Sequence, residues 1–281
     1  MPIIEVKNLS YIYPNTSEPV LSNIDLTIDA GDMVLVTGPS GCGKTTLCRC
    51  LNGLIPHFYK GDLEGEVTIA NLSIADHSIS ELAQHVGFVF QDPENQLFAL
   101  SVEKDVAFGL ENLAVPRNEI RKNVDWALDL MGISQLKDSA PFELSGGQQQ
   151  RVAIASVIAM KPDIIILDEP TSFLDPLTAK NLFEIIQKLN QELGITILLV
   201  EHRLNLLSTY VKRIILMEQG SIRIDGNPIE VLTSELASKL GIGIPKMIQL
   251  HRALSNQGIE LGPPTLSIHE FSSKIKRRLK E

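Results

Sequence analysis

The chain has 281 residues, of which 44% are hydrophobic and 21% are charged, and its formal net charge is −9. This composition is typical of a folded globular protein that is large enough to bury a core, and it excludes disordered and collagen-like classes. The acidic balance argues against wholesale nucleic-acid binding, which normally requires a basic domain or face. We therefore expect no nucleic-acid partner.

The cysteines and the N-terminal sequence indicate a protein of a reducing cytoplasm. Cys42, Cys48 and Cys50 are too few and too clustered for a disulfide framework, and no paired Cys or His nearby completes a zinc site. We expect them to be small apolar side chains. The N-terminus does not have the form of a signal peptide, and no apolar run approaches the ~20 residues that span a bilayer. Any membrane role would therefore depend on a partner.

The first hundred residues predict strands interrupted by one glycine-rich turn. Alternating apolar residues predict half-buried strands, and a short continuous apolar run predicts a buried one. The turn, residues 38–43, follows that buried run and is followed in turn by a helix-compatible stretch, Lys44–Leu54. The predicted strands are Ile3–Leu9, Val20–Ile28, Met33–Val36, Gly65–Ile69 and Val86–Phe90.

The middle of the chain predicts a helical insert, at about residues 92–160. Ile120, Val124, Leu128 and Met131 recur at spacings of four, four and three, which gives one helix an apolar face. A further helix is predicted from Ser145 to Met160.

Strands and helices alternate again after the insert. Ile164–Leu167 is an apolar run that suits a parallel strand covered on both faces. A helix is predicted over Pro176–Leu193, with a strand over Ile195–Val200. The predicted buried face of that helix is formed by Leu182, Ile186, Leu189 and Leu193. This alternation predicts an α/β fold with a mostly parallel sheet and with ligands at the carboxyl ends of its strands.

The C-terminal part is predicted to be a separate appendage. A hairpin is predicted within the sequence SIRIDGNP after Gly220, and it closes a domain of residues 1–225. Residues 226–281 would form a small α/β or helical appendage, in which glycines and prolines are frequent. Its last segment, Lys274–Glu281, is basic, which is typical of a solvated helix end and less often of a contact with anionic lipid.

A phosphate-binding loop is predicted between the strand at Met33 and the helix at Lys44. The sequence there fits G-x-x-x-x-G-K-[ST] in the strand–loop–helix context that this motif requires. Its backbone N–H groups would surround phosphate oxygens of ATP, while Lys44 would neutralise phosphate charge and Thr45 would offer its hydroxyl to Mg²⁺. The predicted nucleotide-binding residues are Gly38, Pro39, Ser40, Gly41, Cys42, Gly43, Lys44, Thr45 and Thr46.

Two carboxylates follow the apolar strand at Ile164. Asp168 is placed to hold Mg²⁺, and Glu169, just past the strand, is placed to accept a proton from an attacking water. Such a pair taken alone would equally suit a solvated turn. The phosphate loop upstream favours the catalytic interpretation.

A second glycine-containing helix start lies at residues 144–148. Ser145 is a good N-cap, and Gly146 and Gly147 let a phosphate approach the first turn, so Ser145–Gln148 is predicted to form a second anion site. One nucleotide has only one γ-phosphate. We therefore expect the second site to bind the ATP of another copy.

These motifs, in this order, resemble those of the ATP-binding-cassette (ABC) ATPases over about residues 3–225. The resemblance implies a P-loop fold with an antiparallel β subdomain and a helical subdomain, working as a dimer in which Ser145, Gly146, Gly147 and Gln148 complete the partner's ATP site. Gln91 matches the Q-loop and is implied to sense Mg²⁺ and a membrane partner. The family motifs also include the D-loop, here residues 172–175 ending at Asp175, and the switch histidine, here His202, which is implied to contact the γ-phosphate and position water.

An aromatic residue near the N-terminus is expected to stack on adenine. Tyr11 and Tyr13 both qualify by their spacing in the strand. Tyr13, which precedes Pro14, is more similar to the stacking position of the family.

The residues around Gln91 and His202 are similar to those of the energy-coupling-factor importers of vitamins and of cobalt and nickel ions. This similarity implies a peripheral protein at the cytoplasmic face of the cell membrane, bound to a membrane-embedded subunit and paired with a second ATPase protomer in a homodimer or heterodimer. The alternative is a soluble ABC ATPase that acts on the ribosome or on DNA. Against it, the segment between Gln91 and Leu144 is too short for a long coiled coil, and only one set of motifs is present. A P-loop kinase would leave the second glycine motif unexplained.

Overall fold

The computed structural model describes residues 1–278, which form two sheets and surrounding helices. The predicted basic segment ends outside the described residues, at 279–281. The strands are β1 (Pro2–Ile12), β2 (Leu21–Asp29), β3 (Met33–Thr37), β4 (Asp62–Ile69), β5 (Leu72–Ser73), β6 (Val86–Val89), β7 (Ile164–Asp168), β8 (Thr196–Val200), β9 (Arg213–Glu218) and β10 (Ser221–Gly226). The helices are α1 (Lys44–Leu51), α2 (Leu54–His57), α3 (Ile79–Leu82), α4 (Val102–Asn112), α5 (Arg117–Leu130), α6 (Gly146–Ile158), α7 (Pro176–Leu193), α8 (Leu204–Leu207), α9 (Pro228–Thr233), α10 (Glu235–Lys239), α11 (Lys246–Asn256) and α12 (Ile268–Arg278).

The larger sheet has six strands in the order β10-β9-β3-β8-β7-β6. Neighbouring strands are parallel except for β10, which is antiparallel to β9 at one edge. The carboxyl ends of β3, β7 and β8 therefore lie side by side. Each of these ends is followed by a loop that carries predicted site residues, as expected for a parallel α/β sheet.

This sheet separates two hydrophobic cores, because alternate residues of its strands point to opposite faces. Leu35, Leu167 and Leu199 belong to the core that also contains the buried faces of α4 to α7. Val36 and Val200 belong to the core formed with α1 and the smaller sheet. The prediction that the strand at Ile164–Leu167, now β7, is covered on both faces is confirmed.

The smaller sheet is antiparallel, with the order β2-β1-β4-β5. Its inward residues alternate along β1, where Ile4, Val6, Leu9 and Tyr11 are buried. The three cysteines lie in the same core, unpaired and buried, as expected for small apolar side chains.

The insert is helical, as predicted, and α4, α5 and α6 pack against one another. Val124 and Leu128 of α5 are buried, and Ile120 is partly buried against the same core. From residue 227 to residue 278 every regular element is a helix. The division at residue 225 and the limits 92–160 stay predictions.

Three local predictions were wrong. Helix α1 ends at Leu51 rather than Leu54, because Gly53 adopts a left-handed conformation (φ 76°) that ends helices. The hairpin consists of β9 and β10 with its turn at Gln219 and Gly220, both at positive φ, so SIRIDGNP supplies one strand rather than two. Leu193 is 52% exposed rather than buried, since it is the last residue of α7.

None of the helices within residues 1–278 combines the length and hydropathy that a membrane crossing requires.

Candidate functional site

One cleft of about 410 Å³ lies at the carboxyl edge of the six-stranded sheet and is lined by the residues predicted to be catalytic and by much of the predicted phosphate loop. Its walls include Gln91, Glu169 and His202, which come from three different loops. The loop and helix residues that line it are Ser40, Gly41, Gly43, Lys44, Thr45 and Thr46.

The glycine loop is held tightly against neighbouring backbone. Gly38 and Gly43 have φ angles of 152° and 103°, in the region that favours glycine. A Cβ at Gly38 would lie 2.2 Å from the Met217 carbonyl oxygen, and one at Gly43 would lie 2.8 Å from the Val20 carbonyl oxygen. Larger residues at these positions would therefore displace the loop.

Lys44 is buried within the loop that it would serve. Its side chain is 6% exposed, and its Nζ donates to the carbonyl oxygens of Gly38, at 3.0 Å, and Pro39, at 2.9 Å. Cys42 is also buried, with Sγ 3.9 Å from the same Nζ. The Pro39 carbonyl oxygen and the Cys42 sulfur thus hold the ammonium group in position from within the loop. Helix α1 starts at Lys44, so its unpaired first-turn N–H groups and the ammonium group together favour an anion in the cleft.

Asp168 is the last residue of β7, and its side chain lies next to that of Thr45. It is 2% exposed, and its Oδ1 has no hydrogen-bond partner among the described residues. Burial raises the pKa of the Asp168 carboxyl, and a hydrogen bond with Thr45 opposes that shift. A buried oxygen with free acceptor capacity next to a hydroxyl fits Mg²⁺, which takes few protein oxygens and completes its shell with phosphates and water.

Glu169 connects the predicted catalytic residues. Its Oε2 accepts a hydrogen bond from Gln91 Nε2 at 3.0 Å, and its Oε1 lies 3.1 Å from His202 Nε2. The backbone at Glu169 has a φ of +48°, which is uncommon for a residue with a side chain. Its N–H donates to the Val200 carbonyl oxygen at 2.9 Å, which fixes it beside the end of β8. The structure thus brings together all three residues that were predicted to be catalytic.

Sequence reasoning missed a buried carboxylate in the same region. Glu201, just before His202, is 3% exposed and accepts hydrogen bonds from Thr171 and His202. A carboxylate directly after a continuous apolar run is the same signal that identified Asp168. Applied to β8, that signal would have found Glu201.

The two tyrosines differ in accessibility. Tyr11 is fully buried, and its hydroxyl donates to the Lys60 carbonyl oxygen at 2.7 Å, so its ring cannot stack on a base. Tyr13 is half-buried beside α1, where Arg49 donates to its hydroxyl at 3.0 Å and Thr46 Oγ1 lies 3.3 Å away. The alternative of Tyr11 is therefore excluded. The stacking role of Tyr13 stays a prediction.

A second cleft, of about 490 Å³, contains the residues that were predicted to contact the ATP of another copy. It is lined by Ser145, Gly146, Gly147, Gln148 and Asp175, together with neighbouring residues of α6, of α7 and of the loop before α7. None of its lining residues lines the first cleft. A single chain therefore presents two separate clefts.

Local hydrogen bonds shape this second cleft. Ser145 occupies the N-cap of α6 as predicted, and its N–H and hydroxyl donate to Gln148 Oε1 at 2.9 and 3.0 Å. Asp175 caps α7 by accepting from the N–H groups of Leu177 and Thr178 at 2.9 and 3.1 Å. Hydrogen bonds from Thr178 and Leu177 lower the pKa of the Asp175 carboxyl.

Comparisons with known proteins agree with this geometry. The family model described as ABC transporter matches residues 21–172. A Pyrococcus abyssi protein, provisionally named an ABC transporter ATP-binding protein, is 41% identical over 281 residues and 100% of both chains. The energy-coupling factor transporter ATP-binding protein EcfA1 of Caldanaerobacter subterraneus is 40% identical over 98% of this chain and 99% of its own. Other relatives are longer: the chain spans 45% of a Methanosarcina mazei relative that is 41% identical over 264 residues.

Solved structures that resemble this chain are also components or ATP-binding cassettes of ABC transporters. CbiO1 from Clostridium perfringens, described as part of the ABC transporter complex CbiONQ, is 38% identical with a TM-score of 0.75, covering 89% of this chain and 99% of its own. The cassette MJ0796, solved as a dimer in a post-hydrolysis state with ADP and Pi, is 33% identical with a TM-score of 0.71, covering 80% and 98%. This chain belongs to the ABC transporter ATP-binding family and is an ATPase.

Proposed function

We propose that this ATPase energises an importer of the energy-coupling-factor type from the cytoplasmic face of the cell membrane, as a peripheral subunit. The chain is the ATP-binding subunit of a transporter, and the finer assignment rests on one observation. The similarity to EcfA1 extends over 98% of this chain, so it includes the C-terminal appendage as well as the nucleotide motifs. Its substrate would be a vitamin or a cobalt or nickel ion, which this subunit does not contact.

In the proposed reaction the residues of the first cleft divide the work. The glycine loop and Lys44 bind the phosphates of ATP, and Glu169 accepts a proton from the attacking water. Gln91 and His202 hold the Glu169 carboxylate in place before the water arrives. Thr45 and Asp168 would hold Mg²⁺, which supplies positive charge to the phosphates.

The second cleft is proposed to bind the same ATP from the other side. Its residues start a helix whose first N–H groups lack intrahelical partners, which favours an anion there. Two protomers facing each other would each contribute one cleft to each of two ATP molecules. Since this chain carries both clefts and Glu169, a homodimer would have two complete sites, and a heterodimer with a related ATPase is equally compatible.

A groove beside the Gln91 loop is proposed to bind a short helix of the membrane subunit. It has a volume of about 300 Å³ and lies between the end of β6 and helices α4 and α6. Phe98 and Phe108 line it, stack edge to face at 4.6 Å, and are 66% and 43% exposed. Exposed aromatic side chains of this kind are typical of protein interfaces. Movement of the Gln91 loop would be passed to the membrane subunit through this groove.

Phe98→Asp is expected to weaken binding to the membrane subunit at least tenfold. The change removes an apolar side chain worth about 1.5–3 kcal/mol on burial and introduces a charge that the interface would bury. Affinity between the purified ATPase and the detergent-solubilised membrane subunit measures the effect. Ile268→Asp is the control, because Ile268 is also exposed (73%) but lies on α12. Equal affinity of Phe98→Asp and wild type would place the partner elsewhere.

Tyr13→Ala is expected to weaken ATP binding by about 1–3 kcal/mol, the magnitude typical of base–aromatic stacking. Titration with a fluorescent ATP analogue measures the affinity. Tyr13→Phe keeps the ring but loses the hydroxyl that contacts Arg49 and Thr46, so it separates stacking from hydrogen bonding. We expect Tyr13→Phe to bind ATP nearly as well as wild type. Unchanged affinity in Tyr13→Ala would exclude adenine stacking on this residue.

Purification of the tagged chain from detergent extracts of its own cells tests the proposed function. A membrane protein in stoichiometric amount is expected, and its sequence would identify the transporter. Recovery with ribosomes or with DNA, and without a membrane protein, would instead support a soluble ABC ATPase and contradict the importer.

A further inference from the structure

We infer that Glu201 is a positioning residue for ATP hydrolysis. It joins the loop after β8 to the loop after β7 and so fixes the positions of Glu169 and His202 relative to each other. The inference rests on the proposed roles of Glu169 and His202. Glu201 itself would touch neither nucleotide nor water. It would act through the backbone of His202 and through Thr171.

The carboxylate of Glu201 accepts hydrogen bonds from three donors on both loops. Its Oε1 accepts from the Thr171 N–H at 3.0 Å and from the Thr171 hydroxyl, and its Oε2 accepts from the His202 N–H at 3.1 Å. Glu201 and Thr171 are 3% and 0% exposed, so solvent does not compete for these bonds. Hydrogen bonds to a buried charged group are among the stronger ones in proteins.

The other neighbour of His202 in the chain makes a similar connection. Arg203 Nη1 donates to the carbonyl oxygen of Leu174 at 3.0 Å, in the loop that carries Glu169. His202 is therefore fixed to that loop on both sides, while its own Nε2 lies 3.1 Å from Glu169 Oε1. A shift between the two loops would move the imidazole relative to the carboxylate.

A buried carboxylate requires hydrogen-bond donors whether or not it has a role in catalysis. The alternative interpretation is therefore that these bonds only stabilise the fold. Two features favour a positioning role over this general one. The donors lie two residues after Glu169 and at His202 itself, and they come from two segments that are distant in sequence. A glutamate is also the side chain that fits, because an ionised carboxylate accepts on both oxygens whereas a glutamine amide accepts on one.

Glu201→Gln tests the inference with little change in shape. The amide oxygen can still accept from Thr171, but the amide nitrogen would then face the His202 N–H, donor against donor. We expect kcat for ATP hydrolysis to fall at least tenfold while KM for ATP changes less than twofold. Glu81→Gln is the matched control, because Glu81 also accepts from an N–H and a hydroxyl, those of Ser78, and lies on α3, which lines neither of the two clefts. Its kcat is expected to equal that of wild type.

The His202→Ala background separates positioning from general stability. If Glu201 acts through His202, adding Glu201→Gln to His202→Ala should change kcat less than twofold. An equal tenfold loss in both backgrounds, or an unchanged kcat in Glu201→Gln alone, would overturn the inference. Should Glu201→Gln not fold, Thr171→Val carries the same comparison, with Thr171→Ser expected to restore activity because it keeps the hydroxyl. Full turnover by His202→Ala alone would instead contradict the proposed function of His202.

Discussion

Glu169→Gln is expected to slow ATP hydrolysis by about 10²–10⁴-fold, the loss that is typical when a general base is removed. The amide keeps the shape of the carboxylate but cannot accept a proton from water. ATP binding depends on the glycine loop and Lys44, which this change leaves in place. The variant should therefore accumulate as an ATP-bound dimer, detectable by size-exclusion chromatography in the presence of ATP.

Glu184→Gln serves as the control for Glu169→Gln. Glu184 is an exposed residue of α7 that pairs with Lys180, and the same substitution there should leave turnover unchanged. Near-normal hydrolysis by Glu169→Gln would show that the base is a different residue. Loss of ATP affinity would show that Glu169 holds the nucleotide rather than the water.

Gly146→Asp is expected to abolish hydrolysis while ATP still binds to each protomer. The added carboxylate would lie in the second cleft, against the γ-phosphate held by the other protomer. Two like unit charges about 4 Å apart repel by about 4 kcal/mol at an effective dielectric constant of 20. The fold tolerates the side chain, because a Cβ at Gly146 would lie 3.5 Å from the nearest heavy atom, the Phe173 Cβ, which is an ordinary contact.

Gly146→Asn has nearly the same volume and no charge, so the difference between the two variants measures electrostatic repulsion. We expect the Asn variant to retain most of the ATP-dependent dimer that the Asp variant loses. Fluorescent nucleotide titration and steady-state ATPase rates distinguish binding from turnover. Full ATPase activity in Gly146→Asp would contradict a site shared between two protomers.

The parts of the fold that could be predicted are those encoded by short local patterns. Helix α7 has the predicted bounds because Asp175 and Pro176 mark its start and Gly194 its end. The apolar runs at β3, β7 and β8 indicated parallel strands, and the phosphate loop follows from its glycine spacing. Once those strands are parallel, their carboxyl ends must meet, so the grouping of the loop with Glu169 and His202 was predictable as well.

The rest depended on contacts between distant segments. Tyr11 and Tyr13 are similar in sequence context, and only the packing of the antiparallel sheet buries one of them completely. Strand β9 is apolar, but an apolar run alone does not indicate which strand pairs with it. The position of the hairpin became clear only from the pairing of β9 with β10 and from the turn between them. The role of Glu201 requires Thr171, 30 residues earlier in the chain, and that proximity is set by the pairing of β7 with β8.

The left-handed backbone of Glu169 places stability and turnover in opposition. A residue with a side chain loses about 1–2 kcal/mol in that conformation, and glycine would not. The contacts of the Glu169 carboxylate with Gln91 and His202 return little of this, because both are exposed to solvent, where water competes for the same groups. Selection of variants for heat resistance alone would thus tend to favour glycine at position 169, and the protein recovered would be more stable but would lack the proposed general base for ATP hydrolysis.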